Sequence, residues 1–453
     1  MVVCAQQSWY KSSPLDYAWK NVGNAGFSAD TVNLTSLAFS PSGEPTVAYM
    51  DYGNSKKATV MKFDGSSWVN IGNAGFSAGR PYYISLAFSP SDGQPYVAYS
   101  DYANSYKATV MKFNGTNWVN VGNAGFSAGE TDWTSLAFNP SDGQPYVAYQ
   151  DWVHSYKATV MKFNGTNWMN VGNAGFSAGR PWYICLAFSP TDGKPYVAYE
   201  DWGNSDKATV MKFNGTNWVN VGNAGFSGGQ VEYTSLAFSP SDGQPYVAYE
   251  DYVNYEEKAT VMKFNGTNWV NVGNAQFSAG LVYCTSLAFN TSGQPYVAFH
   301  DEYWTSSGKA TLMKFDGTDW TTVGTAGFSA GEAWNTSLAF SPSGKPYVAY
   351  SDGGNFFKAT VMKYDSVFVG INEQKESKLS LYPNPSTNKI TLEISGETME
   401  SNLSIVNIEG QQLIARLITE PITQLDISTL PYGVYFVRLT GEKTVQVGKI
   451  VKN

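Results

Sequence analysis

A period of 49 to 51 residues, four β-rich runs within each period, and a lone strand-like run ahead of the first full copy together predict the fold. They predict an all-β chain: a seven-bladed β-propeller closed by its N-terminal strand, followed by a small C-terminal β-sandwich. The period is read from Trp19, Trp68, Trp118, Trp168, Trp218, Trp269 and Trp320, each three residues ahead of a Val-Gly or Ile-Gly pair. Between them stand near-invariant blocks, F-S-A-G, S-L-A-F, P-Y-V-A-Y and K-A-T-V-M-K-F, broken by two variable stretches.

In the second copy the four runs are Ser85 to Phe88, Tyr96 to Tyr99, Ala108 to Phe113 and Trp118 to Val121. Pro90-Ser91-Asp92-Gly93 and Asn114-Gly115 separate them with strong turn chemistry. Small Ala87 and Ala98 suit strands near the axis; bulky Met111, Phe113 and Trp118 suit the wider outer part. The repeats open with Trp19 to Val22, a fourth strand without a first, and end at Lys358 to Tyr364, a third without a fourth. Pairing these two removes an open edge that would otherwise recruit other chains. An open solenoid is the competing architecture, and it leaves both ends unpaired.

Composition narrows the function classes. A net charge of −8 and the lack of any Lys/Arg cluster argue against a nucleic-acid partner. No run of 18 apolar residues predicts a membrane span. Cys4, Cys185 and Cys284 make neither a disulfide framework nor a zinc pattern, and no cofactor is expected. Residues 1–5 read as the end of a secretory leader cleaved after Ala5; a lipoprotein cysteine at Cys4 competes, with Val3 where a small residue would stand. The propeller is expected over 6–366 and a linker over 367–378, polar from Asn372 to Lys378.

The last domain, 379–453, carries Leu381-Tyr382-Pro383-Asn384-Pro385, then Ile390-Thr391-Leu392, then Leu403 to Asn407 with Gly410. Leu430-Pro431-Tyr432-Gly433-Val434-Tyr435 and terminal Lys449 and Lys452 follow. In this order the motifs resemble the C-terminal sorting domain of proteins exported by the type IX secretion system of Bacteroidetes-type bacteria. The resemblance implies that residues 379–453 engage that secretion machinery and that the propeller is released or anchored outside the cell.

Seven copies of one unit permit an internal comparison, and the differences are not scattered. They fall in the stretch before the first strand and the stretch after the second. Because neighbouring strands alternate in direction, both stretches emerge on one face, and the constant hairpins on the other. The variable face is rich in Tyr and Trp beside isolated charges, a composition suited to recognition. The candidate ligand-binding residues are Arg80, Tyr82, Tyr83, Glu130, Asp132, Trp133, Trp152, His154, Arg180, Trp182, Tyr183, Trp202, Glu232 and Tyr233. The expected partner is a glycan or a surface protein. Two competing readings apply: the aromatics pack between blades, or the arginines only pair with Glu130 and Asp132.

The aspartate that recurs at 51, 101, 151, 201, 251, 301 and 352 reads as a turn residue in preference to a metal ring. Asn114-Gly115-Thr116 matches a glycosylation sequon and reads as a hairpin turn. Sialidase chemistry needs three arginines on one carboxylate, and the repeats contain only Arg80 and Arg180. Paired carboxylates among Glu130, Asp132, Glu200, Glu232 and Glu250 have no spacing that singles out an acid–base couple, so no enzyme is expected. The aspartate after strand two and the D/N-G-x-x-W hairpin are similar in layout to bacterial propeller lectins, and that likeness carries over no sugar-contacting residue.

Overall fold

The structure, a computed structural model, describes residues 16–302, 307–367, 379–394, 401–441 and 445–453. The leader remnant expected at 1–5 lies outside these residues, as does the expected linker apart from Val367. The described chain forms two compact units, one spanning Asp16–Val367 and the other lying within Phe368–Asn453.

The first unit consists of four-stranded antiparallel sheets repeated along the chain, the arrangement of a β-propeller. In the second repeat the strands are Pro81–Phe88, Pro95–Asp101, Lys107–Phe113 and Trp118–Asn120, adjacent in that order. Pro95–Asp101 is buried along its whole length, because neighbouring sheets cover both its faces. That explains a continuous apolar run where a half-exposed strand would alternate. Asn114 Oδ1 accepts from the backbone N–H of Thr116 and Asn117, and Gly115 has φ of 96°. The sequon is thereby a tight hairpin.

The first strand begins at Pro81, four residues ahead of the expected Ser85. Its register breaks between Tyr82 and Ser85, where a bulge hides the two-residue alternation that would have marked the strand. The same break recurs in every repeat, so the first variable stretch is strand and bulge instead of loop.

Successive sheets are held by three repeated contacts. Each tryptophan stacks on the phenylalanine of the previous F-S-A-G block, with ring centroids 4.1 Å apart for Phe126 and Trp168. Its indole N–H donates to a carbonyl of the previous sheet, as from Trp168 to Val121 O at 2.7 Å. The serine of S-L-A-F accepts from the leucine N–H of the next sheet, as Ser85 does from Leu136 at 3.0 Å. Cys185 occupies that serine position, and its sulfur accepts from Leu236 N at 3.2 Å.

Asp16–Asn21 pairs with Lys358–Val367, with Trp19 opposite Tyr364. Trp19 stacks on Phe328 at 3.7 Å and donates to Val323 O at 2.9 Å. Leu37 N in turn donates to Ser337 Oγ at 3.0 Å, the same serine–leucine contact.

The C-terminal unit has a three-stranded and a four-stranded sheet around one core that includes Ile390, Leu392, Leu403, Ile405, Val437 and Ile450. The Pro383–Pro385 motif acts as a clasp on the last strand: Asn384 Nδ2 donates to Lys449 O at 2.7 Å, and Asn384 Oδ1 accepts from Val451 N at 2.8 Å.

Candidate functional site

The bulge decides where the variable side chains go. Leu34, Tyr83, Trp133, Tyr183, Tyr233, Cys284 and Asn335 occupy the equivalent position, all with φ between 49° and 59°. That left-handed backbone is strained for bulky residues and persists where surrounding contacts fix it. Here the next sheet supplies the fixing contact, as when Thr234 Oγ1 donates to Tyr183 O at 2.6 Å. The result is a row of half-buried rings passing from sheet to sheet. Tyr83 and Trp133 lie 4.5 Å apart, Trp133 and Tyr183 4.2 Å, and Tyr183 and Tyr233 4.6 Å.

Charged groups flank the row. Arg180 lies over the rings of Trp182 and Tyr156, 4.2 and 4.7 Å from their centroids. Arg80 donates to Tyr82 Oη at 2.9 Å. Asp132 accepts from Trp152 Nε1 at 2.7 Å; burial raises its carboxyl pKa, while that hydrogen bond and the Arg180 charge pull it down. Among the described residues neither arginine makes an ion pair with Glu130 or Asp132. Two buried donors in this sector, Trp133 Nε1 and Arg180 Nε, have no hydrogen-bond partner, nor has the acceptor Gln150 Oε1.

His154 and Trp202 stand on the turns that follow the second strands, Trp202 with its backbone N–H donating to Arg180 O at 3.1 Å. His154 Nδ1 lies 2.8 Å from Asp151 Oδ2, in the place taken by Asn54, Asn104 and Asn204 in other copies, and so belongs to its own turn. Trp202 stands on its turn, 67% exposed. Asp51, Asp101, Asp151, Asp201 and Asp352 cap these turns, whereas Asp251 lies within a strand and accepts from Gly229 N and Thr260 Oγ1. Asp201, for example, accepts from Gly203 N, Asn204 Nδ2 and Thr209 Oγ1. Among the described residues no three His, Cys, Asp or Glu groups converge as metal ligands would.

The candidate set left out the residue before each aspartate. Strand alternation turns it away from the aspartate and toward the next sheet, a signal available in the repeat itself. Gln150 Nε2 donates to Pro181 O, Ser351 Oγ to Val32 O, and His300 Nδ1 lies 3.2 Å from Ala333 O. Glu200 and Glu250 hold the same place. Burial first, and the Glu232 charge second, push their carboxyls up to about 8 and about 9.

Residues 380–453 match the family described as the secretion system C-terminal sorting domain. This segment is a type IX secretion sorting domain. The protein is therefore exported and belongs at the outer cell surface or beyond it, and among the described residues no helix is long and apolar enough to cross a membrane. No curated protein matches the chain. Among solved structures, an ulvan lyase bound to -[GlcA(1-4)Rha3S]- is 11% identical, with a TM-score of 0.51 over 74% of this chain and 94% of its own. A second ulvan lyase structure, also 11% identical, gives 0.50 over the same shares. A protein of unknown function from Dyadobacter fermentans gives 0.47 at 11% identity, over 77% of this chain and 99% of its own. At such identity the ulvan lyase likeness is one of fold.

Proposed function

We propose that residues 16–367 close as a seven-bladed propeller and that the exported protein binds a carbohydrate on its aromatic face, without turning it over. The observation that carries this reading is the pair of buried, unpartnered donors, Trp133 Nε1 and Arg180 Nε, beside the stacked rings of Tyr83, Trp133 and Tyr183. Aromatic planes cover the apolar face of a sugar, and unpaired donors beside them suit its hydroxyl or carboxylate oxygens. A ligand oxygen at this point restores hydrogen bonds that the free protein lacks, which favours the bound state. The fold shared with an ulvan lyase bound to a uronate-containing glycan is compatible with an acidic sugar.

The test is a glycan array with the full chain, followed by titration of the best ligand against Trp182→Ala. Removing the plane beneath Arg180 should weaken binding at least tenfold, about 1.4 kcal/mol, with the melting curve retained. Absence of any glycan ligand, or unchanged affinity in the variant, makes the face a passive scaffold. Release of new sugar ends on incubation with the ligand would make the protein an enzyme.

A further inference from the structure

The position before the recurring aspartate carries a second message. In three copies it presents a hydrogen-bond donor to the neighbouring sheet's carbonyl: Gln150, His300 and Ser351. In two adjacent copies it is a glutamate, and an ionised carboxylate has nothing to donate. Glu250 is only 4% exposed, and its Oε2 has no partner. Across its own sheet it is paired in register with Glu232, which is exposed.

Acids, phenols and one thiol surround these carboxyls, with Trp182 opposite Glu200 in register and the His300 ring 5.5 Å from that of Tyr283. Glu250 feels the charges of Glu232, Glu257 and Glu200; Glu200 feels Glu232 and Asp206. Cys284 lies close enough to couple to Glu250, and burial pushes that thiol up to about 11. Tyr183 donates to Glu232 Oε2 at 2.9 Å, Tyr283 Oη lies 3.4 Å from Glu257 Oε2, and the Tyr233 ring stands between these tyrosines. Lys258, beside Glu257 in sequence, is engaged by Glu256 at 2.7 Å. Among the described residues no lysine or arginine forms an ion pair with Glu200, Glu232, Glu250 or Glu257.

Carboxyls gathered in one half-buried patch without a cation either keep their protons or take positive charge from outside the chain. They do not converge in a way that would hold a metal ion. Tyrosine faces alongside carboxylates match an organic cation, whose charge is spread over a larger volume and is attracted by ring faces. We propose that the Glu200–Glu232–Glu250 patch, walled by Tyr183, Tyr233 and Tyr283, is a binding site for an ammonium group. It adjoins the Arg180 sector, sharing Tyr183 with it and setting Glu200 opposite Trp182, but uses the carboxyls in place of the arginine and stands whether or not a glycan binds there. An ammonium in the patch favours the ionised carboxylates, so binding expels protons from Glu200 and Glu250, both largely protonated at neutral pH in the free protein.

The experiment is calorimetric titration of the full chain with three probes: the glucosamine tetramer with free amines, its fully N-acetylated counterpart, and choline. At least one ammonium probe should bind, with the acetylated tetramer at least tenfold weaker. The heat should differ between buffers of different ionisation enthalpy, reporting proton release. Binding by the amine tetramer points to an amino sugar; binding by choline alone points to a quaternary ammonium ligand. Glu232→Gln, at an exposed position, should weaken binding at least tenfold. Glu250→Gln should do the same while melting no lower than the native chain, because the amide is a neutral group of the same shape as the protonated carboxyl it replaces. Arg180→Ala should leave ammonium binding in place, which separates this site from the glycan reading. Failure of both ammonium probes, equal binding of the acetylated tetramer, or unchanged affinity in Glu232→Gln overturns the proposal.

Discussion

Replacing Trp19 by alanine tests the seam at which the N-terminal strand enters the last sheet. Burying a whole aromatic side chain removes about 150–250 Å² from water, worth about 4–6 kcal/mol at about 25 cal/mol per Å². Trp19 is half-buried, so about 3 kcal/mol of this applies. Its stack on Phe328 at 3.7 Å and its hydrogen bond to Val323 add roughly 1 kcal/mol together once water replaces the lost partners. The total of about 4 kcal/mol is within the usual range for deleting a packed tryptophan. It is a large part of a domain's typical stability of about 5–15 kcal/mol. Trp168→Ala is the control, since Trp168 is also half-buried and makes the same stack and hydrogen bond inside an uninterrupted sheet. Denaturant titration of both variants should give losses that agree within about 2 kcal/mol, the spread of one deletion over different packed sites. A Trp19→Ala variant as stable as the native chain, beside a damaged Trp168→Ala, would show that the N-terminal strand does not lock the last sheet.

Two further outcomes follow from buried carboxyls. Asp201→Ala strands Gly203 N, Asn204 Nδ2 and Thr209 Oγ1. It should cost about 3 kcal/mol in denaturant titration; a loss below about 1 kcal/mol would mean that water replaces the carboxylate freely. Glu200 and Glu250 titrate near 8 and 9 in the folded chain, above their ordinary value of 4.5. Below that value both folded and unfolded chains hold the protons and nothing is lost. As pH rises toward 8 and 9 the unfolded chain ionises first, so stability falls across this window and levels off above it. The melting temperature should decline more steeply from pH 5 to 9 in the native chain than in Glu200→Gln/Glu250→Gln, and equal slopes would exclude the two glutamates as the cause.

The sequence by itself determined the all-β class, the four-stranded unit and the sorting domain. Each rests on short-range signals: Asn114-Gly115 can only turn, Val97-Ala98-Tyr99 can only be buried, and the Leu381 to Pro385 motif is contiguous. It also marked which face varies, because seven copies can be compared with one another. What tertiary structure decided was direction. The bulge at Tyr83, Trp133 and Tyr183 breaks the alternation from which a side chain's facing is read, so the row of stacked rings could not be seen in the sequence. His154 is held against the Asp151 carboxylate within its own turn, a contact the sequence does not display. Glu200 and Glu250 gained importance for the opposite reason. Their charge is visible in the sequence, but the missing partner is a property of the next sheet, and only folding brings that sheet alongside.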